Sequence, residues 1–327
     1  MEDFIDRPKK PKKPHRKLSD EDYKKIEQLL LEHEERLEKK SEDWESKNAM
    51  SPSPVGPKNL KRQKEKIKKF TKGTRRIAAD FNREKRIEGQ EKSVGKSHVH
   101  NILTKAGHTP KARLESKEKE IIGHLHRRSN PCTEMQMDTS RSMLVAGVVV
   151  FIVGIIDIFN SGILVAECAG KKSHKLVLRA IRQLRWMIPE GHLEIKMDHG
   201  KEFENWKVEK YCQKHDIGII WNEKGTPWQN GFIERWFQTA KREYLNLEFL
   251  CNVGEVRKCL RKLVAHYNNE RPHSSFNYRT PAEVLMDWFE TLSSGIENVI
   301  NPSILCRIKG VLNHLRNQNE LLAGGLG

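Results

Sequence analysis

Cysteine is sparse in this chain of 327 residues: six thiols, at positions 132, 168, 212, 251, 259 and 306, with no Cys-x-x-Cys pair among them. That spacing excludes a zinc ribbon or a dithiol redox motif. No secretory signal precedes these cysteines, so they are expected to be reduced, partly buried thiols of a cytoplasmic protein, associated with the nucleoid if the source is prokaryotic. His98 and His100, or His124 and His126, lack a cysteine pair at ligand spacing, which leaves no two-His, two-Cys zinc module. Long apolar runs are also missing. The longest, Met143 to Ile156, has 14 residues, short of the roughly 20 that cross a bilayer as a helix. Rich in Val and Ile, it reads as buried strand leading into Asp157, the turn Asn160-Ser-Gly162 and a partner strand from Ile163 to Glu167.

What is abundant is positive charge, and it is unevenly placed. The formal net charge is +16, and residues 51 to 130 hold 22 Lys/Arg against 8 Asp/Glu. A basic segment ahead of a near-neutral domain is the electrostatic footprint of a nucleic-acid binder, the plainer alternative being a solubilising linker. Pro8-Lys-Lys-Pro-Lys-Lys-Pro-His-Arg-Lys17 is too charged and proline-rich to pack, and is expected to be a flexible arm, residues 1 to 18. Ser19 with Asp22 starts a helix bearing Ile26, Leu29, Leu30, His33 and Leu37 on one stripe. Prolines between Met50 and Pro57 break it, and a second helix is expected from Asn59 to Phe70.

From Thr74 to Gly107 the pattern predicts an irregular helix-turn-helix inside a DNA-binding region of residues 19 to 110. Ile77, Ala78 and Phe81 give the first helix an inward face. Val99, Ile102, Leu103 and Ala106 do the same for the second, with Gly107 placed to end it. Lys96, Ser97, His100, Asn101 and Lys105 are left outward, where polar side chains could reach base edges in a major groove. The bland alternative is a small helical bundle.

Downstream the chain alternates. Three strand candidates are followed by a helix from Ser173 to Trp186, a strand Leu193 to Met197, a helix about Glu202 to His215, a strand Ile217 to Trp221, and a helix beginning near Gln229. Periodicity alone makes this α/β. Beyond it, Val256, Leu260, Leu263, Val264 and Tyr267 form an apolar stripe, and Thr280-Pro-Ala-Glu283 is a sound helix start.

Three acids stand out against that order: Asp138 in a strand, Asp198 at the end of the next core strand, and Glu234 in the first turns of a helix. Asp198 and Glu234 are separated by 35 residues. Strand ends and a helix face can share one site, and hard divalent cations want oxygen ligands of this kind. The flanking residues, Lys196-Met-Asp-His-Gly-Lys-Glu-Phe203 and Pro227-Trp-Gln-Asn-Gly-Phe-Ile-Glu-Arg235, resemble the integrase core shared by retroviral integrases and insertion-sequence transposases of the DDE type. The resemblance runs from about Pro131 to Glu283. It implies a ribonuclease H-like core, a mixed sheet flanked by helices, over residues 125 to 290, preceded by the basic helical region and followed by a tail from 291 to 327.

The same resemblance implies the chemistry. Asp138, Asp198 and Glu234 would be catalytic and would ligate Mg²⁺ (or Mn²⁺), two ions in all, for end cleavage and strand transfer of a mobile DNA element. Gln238 and Lys241, four and seven residues beyond Glu234, share its face and would look along the donor DNA end. The partners implied are element ends and target DNA, with the chain acting as a homo-oligomer on DNA and no membrane. Two departures from the family pattern are His199, where Asn is usual, and the sequence after Asp157. Neither touches the triad. The rival functions are a catalytically silent DNA-binding regulator derived from such an enzyme and a nuclease that only hydrolyses.

Overall fold

The computed structural model describes residues 18–51, 54–61, 73–90, 93–108, 130–144, 148–223, 225–293 and 302–323. The chain forms two compact units, one of residues 1–35 with 72–112, the other of residues 36–71 with 113–327. Residues 1–17 of the expected arm lie outside the described residues. So does most of the helix expected from Asn59 to Phe70, of which residues 57–61 are described and are helical.

The first unit is helical. α1 (Asp20–Ala49) contributes its first half. Its start is a reciprocal cap: the Ser19 backbone N–H donates to Asp22 Oδ2 at 2.9 Å, and the Asp22 N–H donates back to Ser19 Oγ at 3.3 Å, satisfying donors the helix itself cannot. α2 (Thr74–Ile87) and α3 (Lys96–Lys105) follow. Ile26, Leu29 and Leu30 pack with Ile77, Ala78, Phe81, Val99, Ile102 and Leu103 into one small core. The connection between α2 and α3 is pinned by Asn82, whose side chain donates to the Val94 carbonyl at 2.9 Å and accepts the Val94 N–H at 2.6 Å.

The second unit is built on a five-stranded sheet in the order β3-β2-β1-β4-β5, with β1 (Glu134–Met143), β2 (Val149–Asp157), β3 (Ile163–Ala169), β4 (Leu193–Met197) and β5 (Ile217–Trp221). β1, β2 and β3 are antiparallel neighbours, whereas β1, β4 and β5 run parallel. The helices are α4 (His174–Met187), α5 (Trp206–Lys214), α6 (Gly231–Glu243), α7 (Val253–Asn269), α8 (Pro281–Ser293) and α9 (Pro302–Ala323).

Alternation along the strands sends side chains to opposite faces, and β2 is apolar on both. Val153 and Ile155 join Met135, Met137, Leu193 and Ile195 in the core under α4 and α5. Val150, Ile152 and Ile156 join Ile233, Trp236 and Phe237 of α6 and Val256 and Leu260 of α7 on the other side. This mixed sheet with helices on both faces is the ribonuclease H-like architecture expected of the core.

Three details differ from the sequence-based expectations. The apolar run from Met143 to Ile156 is not one strand: Met143 ends β1, the Leu144 N–H bonds the Val148 carbonyl at 2.8 Å, and β2 starts at Val149. A strand break inside an apolar run carries no periodicity signal. The helix expected from Glu202 starts at Trp206, because the Asn205 side chain accepts the Lys207 N–H as its cap and the preceding residues make a tight turn from Gly200 to Phe203. The segment beyond residue 290, which gave no sequence signal, includes α9, whose Ile308, Val311 and Leu315 are buried in the core beneath α4. The α8 start is as expected, with the Glu283 N–H donating to Thr280 Oγ1 and the Thr280 N–H to Glu283 Oε2.

Candidate active site

Parallel pairing of β1 with β4 matches Glu134 to Glu194 and Gln136 to Lys196. Continuing that register by two residues sets Asp138 opposite Asp198, which directly follows β4. Neighbouring strands lie about 4.8 Å apart, so the two acids stand on adjacent strand ends. Met135 and Met137 face the α4 and α5 side, which turns Gln136, Asp138 and Ser140 toward the face where α6 lies. Glu234 is in the first turn of α6.

The electrostatics of Asp138 register all three carboxylates. Burial pushes its carboxyl up to about 7, the nearby charges of Asp198 and Glu234 push the same way, and a hydrogen bond from the Thr139 N–H and the charge of Lys172 oppose them. Asp198 is raised as well, chiefly by burial, against a hydrogen bond from the Gly200 N–H at 3.2 Å. Glu234 is solvent-exposed. Like charges held together without a full counter-charge favour protonation, and that deficit is what a bound cation would relieve. Among the described residues no three His, Cys, Asp or Glu side chains converge as they stand into a set that could hold an ion. The donor set nonetheless fits a hard divalent cation in kind and in charge: carboxylate oxygens, no thiolate, no imidazole.

Several contacts around the acids escaped the sequence reading. Glu202, buried and lying within the Asp198 motif, accepts from Thr139 Oγ1 at 2.7 Å and pairs with Lys172 at 2.5 Å. It thereby ties the residue after Asp138 to the loop after Asp198. Lys241 Nζ donates to Ser140 Oγ at 2.6 Å, and burial lowers its pKa while Asp138 opposes the shift. Gln136 reaches the start of α6. For Gln136 and Ser140 the signal was present as polar residues interrupting an otherwise buried strand. His199 bonds Glu204 at 2.5 Å and stacks on Trp221 with ring centroids 5.4 Å apart, so the departure from Asn is absorbed locally. Asp157 is turned to backbone, accepting the Cys132 and Phe159 N–H groups, both at 3.0 Å.

Of the residues read as DNA contacts, Gln238 is exposed on α6, and Lys241 is half-buried beside Ser140. In the first unit Lys96, Ser97, His100, Asn101 and Lys105 are all exposed on α3, while Val99, Ile102 and Leu103 are buried. The five cysteines whose side chains are described are free thiols. No helix among the described residues is long and apolar enough to cross a membrane.

The sheet order, the helices on both faces and the acids at adjacent strand ends define a ribonuclease H-like core of the integrase type. Residues 215–281 match the family model described as the integrase core domain. A protein of insertion element IS476 from Xanthomonas euvesicatoria is 33% identical over 89 residues, 27% of this chain and 26% of that one. The transposase of IS904 from Lactococcus lactis is 23% identical over 130 residues, 39% of this chain and 51% of that one. Among solved structures, the HTLV-2 integrase catalytic core in complex with magnesium aligns with a TM-score of 0.40 and 18% identity, covering 48% of this chain and 99% of that one. The chain thus spans between about a quarter and a half of the length of these curated relatives. The family match bears out the resemblance: residues 215–281 carry an integrase core domain, and the chain is similar to insertion-sequence transposases.

Proposed function

We propose that this chain is a DDE-type transposase that cleaves the ends of a mobile DNA element and joins them to target DNA. Asp138, Asp198 and Glu234 are its catalytic, metal-ligating residues. The observation that supports the reading is the parallel register of β1 and β4, which sets Asp138 opposite Asp198 on the face where α6 carries Glu234 in its first turn; the upward shift of Asp138, caused first by burial and then by those two charges, accords with it. The charges of Asp198 and Glu234 both act on Asp138 at one end of the sheet. A general surface cluster would not be raised this way, because water would screen it.

Asp138, Asp198 and Glu234 would hold Mg²⁺ or Mn²⁺. Two such ions would supply activation of an attacking oxygen and stabilisation of a leaving one in an in-line displacement. Hydrolysis of one phosphodiester at the element end leaves a 3′-hydroxyl. Attack of that hydroxyl on a target phosphodiester forms one bond as another breaks, so joining needs no external energy source and no covalent protein intermediate. Lys241, beside Ser140 and within the field of Asp138, and Gln238 on the same helix lie along the path of a donor strand. The basic first unit, with Lys96, Ser97, His100, Asn101 and Lys105 outward on α3, would recognise element ends. Joining two ends to one target requires more than one protomer, hence a homo-oligomer assembled on DNA.

The test is strand transfer in Mg²⁺ with duplexes copied from the DNA flanking the gene, with Glu234→Gln as the paired protein. Joined product from the wild type and a loss of about 10³-fold or more in the variant are expected, as for removal of an essential catalytic group. Sequence-specific DNA binding without joining by either protein, in Mn²⁺ as well, would instead identify a silent DNA-binding regulator. Nicked but never joined product would identify a nuclease.

A further inference from the structure

Gln136 is 2% exposed near the start of β1, two residues before Asp138 and on the same face of the strand. Its side-chain carbonyl accepts two backbone N–H groups, from Phe232 at 3.1 Å and Ile233 at 3.2 Å. Its amide nitrogen donates to the carbonyl of Gln229 at 2.7 Å. Phe232 and Ile233 are among the first residues of α6, whose N–H groups no helical carbonyl can satisfy. The residue placed to cap them from within the chain, Asn230, makes no side-chain cap bond. Gln136 supplies the cap from the neighbouring strand instead, and Glu234 is the next residue after the second amide it holds.

A second tie lies farther along, where Lys241 of α6 bonds Ser140 of β1. From residue 136 to 140 a strand advances about 13 Å at about 3.3 Å per residue. From the 232–233 pair to 241 a helix also advances about 13 Å at 1.5 Å per residue. The two ties are therefore in register for a helix laid along the strand, and Asp138 sits between them.

We infer that Gln136 is a positioning residue: by capping α6 from β1 it sets the separation and orientation of the Glu234 carboxylate relative to Asp138. This rests on the reading of these acids as a metal-binding triad. A glutamine is suited to the task because one amide offers two acceptor lone pairs and a donor while carrying no charge. An acid at that place would add to the repulsion already raising Asp138, and an apolar residue would leave two buried amides and a carbonyl unmatched.

The test uses the full chain as Gln136→Met, close in volume but without the bonds, and Gln136→Asn, which keeps the amide one methylene short. Three quantities are read: hydrogen exchange of the Phe232 and Ile233 amides against those of Val153 and Ile155 in β2, Mn²⁺ affinity, and the single-turnover joining rate against affinity for end DNA. Faster exchange at 232 and 233 alone is expected, with Mn²⁺ affinity and joining rate each down by about tenfold or more, as for loss of a ligand's supporting contacts. Affinity for end DNA should not change. Unaltered Mn²⁺ affinity in a folded variant would overturn the inference, since a simple helix cap would change exchange and nothing else. If Gln136→Met does not fold, the same comparison on Gln136→Asn decides. A wild type that neither binds Mn²⁺ nor joins DNA would sink the triad reading itself, an outcome distinct from variants that match an active wild type.

Discussion

β1 and β2 are neighbours in one sheet, paired from Met135 with Asp157 to Met143 with Val149, and they solve burial in opposite ways. β2 is apolar on both faces and ends in one acid consumed by backbone amides. β1 is apolar on the α4 and α5 face only. On its other face it carries Gln136, Asp138 and Ser140, each bonded to α6, to the segment leading into it, or to the chain next to Asp138. Between these two strands, the cost of polar groups in a buried strand is accepted where a helix bearing an acid lies against it. Stability is concentrated in β2 and the candidate chemistry in β1.

The largest effect that would break this division is expected from Gly154→Ala in β2. An added Cβ would lie 2.6 Å from Trp236 Cζ3 and 3.0 Å from Ile233 Cδ1. Trp236 is itself fully buried, so neither side has room to yield. Overpacking of this kind costs about 1–3 kcal/mol, read as a lower urea midpoint. Because α6 is the element displaced, Mn²⁺ affinity should fall with it. A neutral result would mean that α6 can slide on β2, and the comparison between the strands would lose its meaning.

Next in size, and opposite in sign, is Asp138→Asn in β1. The folded carboxyl holds its proton up to about 7, against about 3.9 when unfolded. Between those values the folded state binds more protons than the unfolded one, so this group's contribution to stability declines as pH rises through the window and levels off above it. The shift sets a ceiling of about 4 kcal/mol, which solvent at this half-buried site reduces to about 1–2 kcal/mol. In metal-free buffer Asp138→Asn should therefore match the wild type near pH 4 and be more stable at pH 8, while joining is abolished. A variant less stable than the wild type at pH 8 would mean that the acid is satisfied as it stands and that the site carries no charge deficit.

How much of this was legible depended on whether one periodicity governed a segment. β4 and β5 were read with their observed bounds, because β4 alternates and β5 is a short apolar run, and the apolar stripe of α7 and the Thr280 cap were equally plain. Asp138, Asp198 and Glu234 were picked out by their flanking residues, not by periodicity. The break between β1 and β2 was invisible because the sequence on both sides of it is apolar. α9 was missed for a related reason. Gly310 in its middle reads as a helix weakener worth about 1 kcal/mol, yet an added Cβ there would lie 2.3 Å from the Met187 carbonyl oxygen. The glycine is what lets α9 approach α4, a tertiary requirement with no local signature. Gln136 was overlooked because its partners are backbone groups roughly a hundred positions away, and a sequence names side chains only.

The smallest expected effect sharpens the comparison most. Ser140→Ala removes the hydroxyl that accepts from Lys241 at 2.6 Å, at the far end of the tie between β1 and α6. A single hydrogen bond of this kind contributes about 0.5–1.5 kcal/mol, and Lys241, already lowered by burial, keeps the charge of Asp138 as a neighbour. Ser140→Ala should therefore cost less than about 1 kcal/mol in urea denaturation and leave exchange at Phe232 and Ile233 unchanged, because Gln136 still holds that end. A cost near that of Gly154→Ala would instead place the anchorage of α6 at Ser140. The polar face of β1 would then share the load that the apolar faces of β2 were assigned.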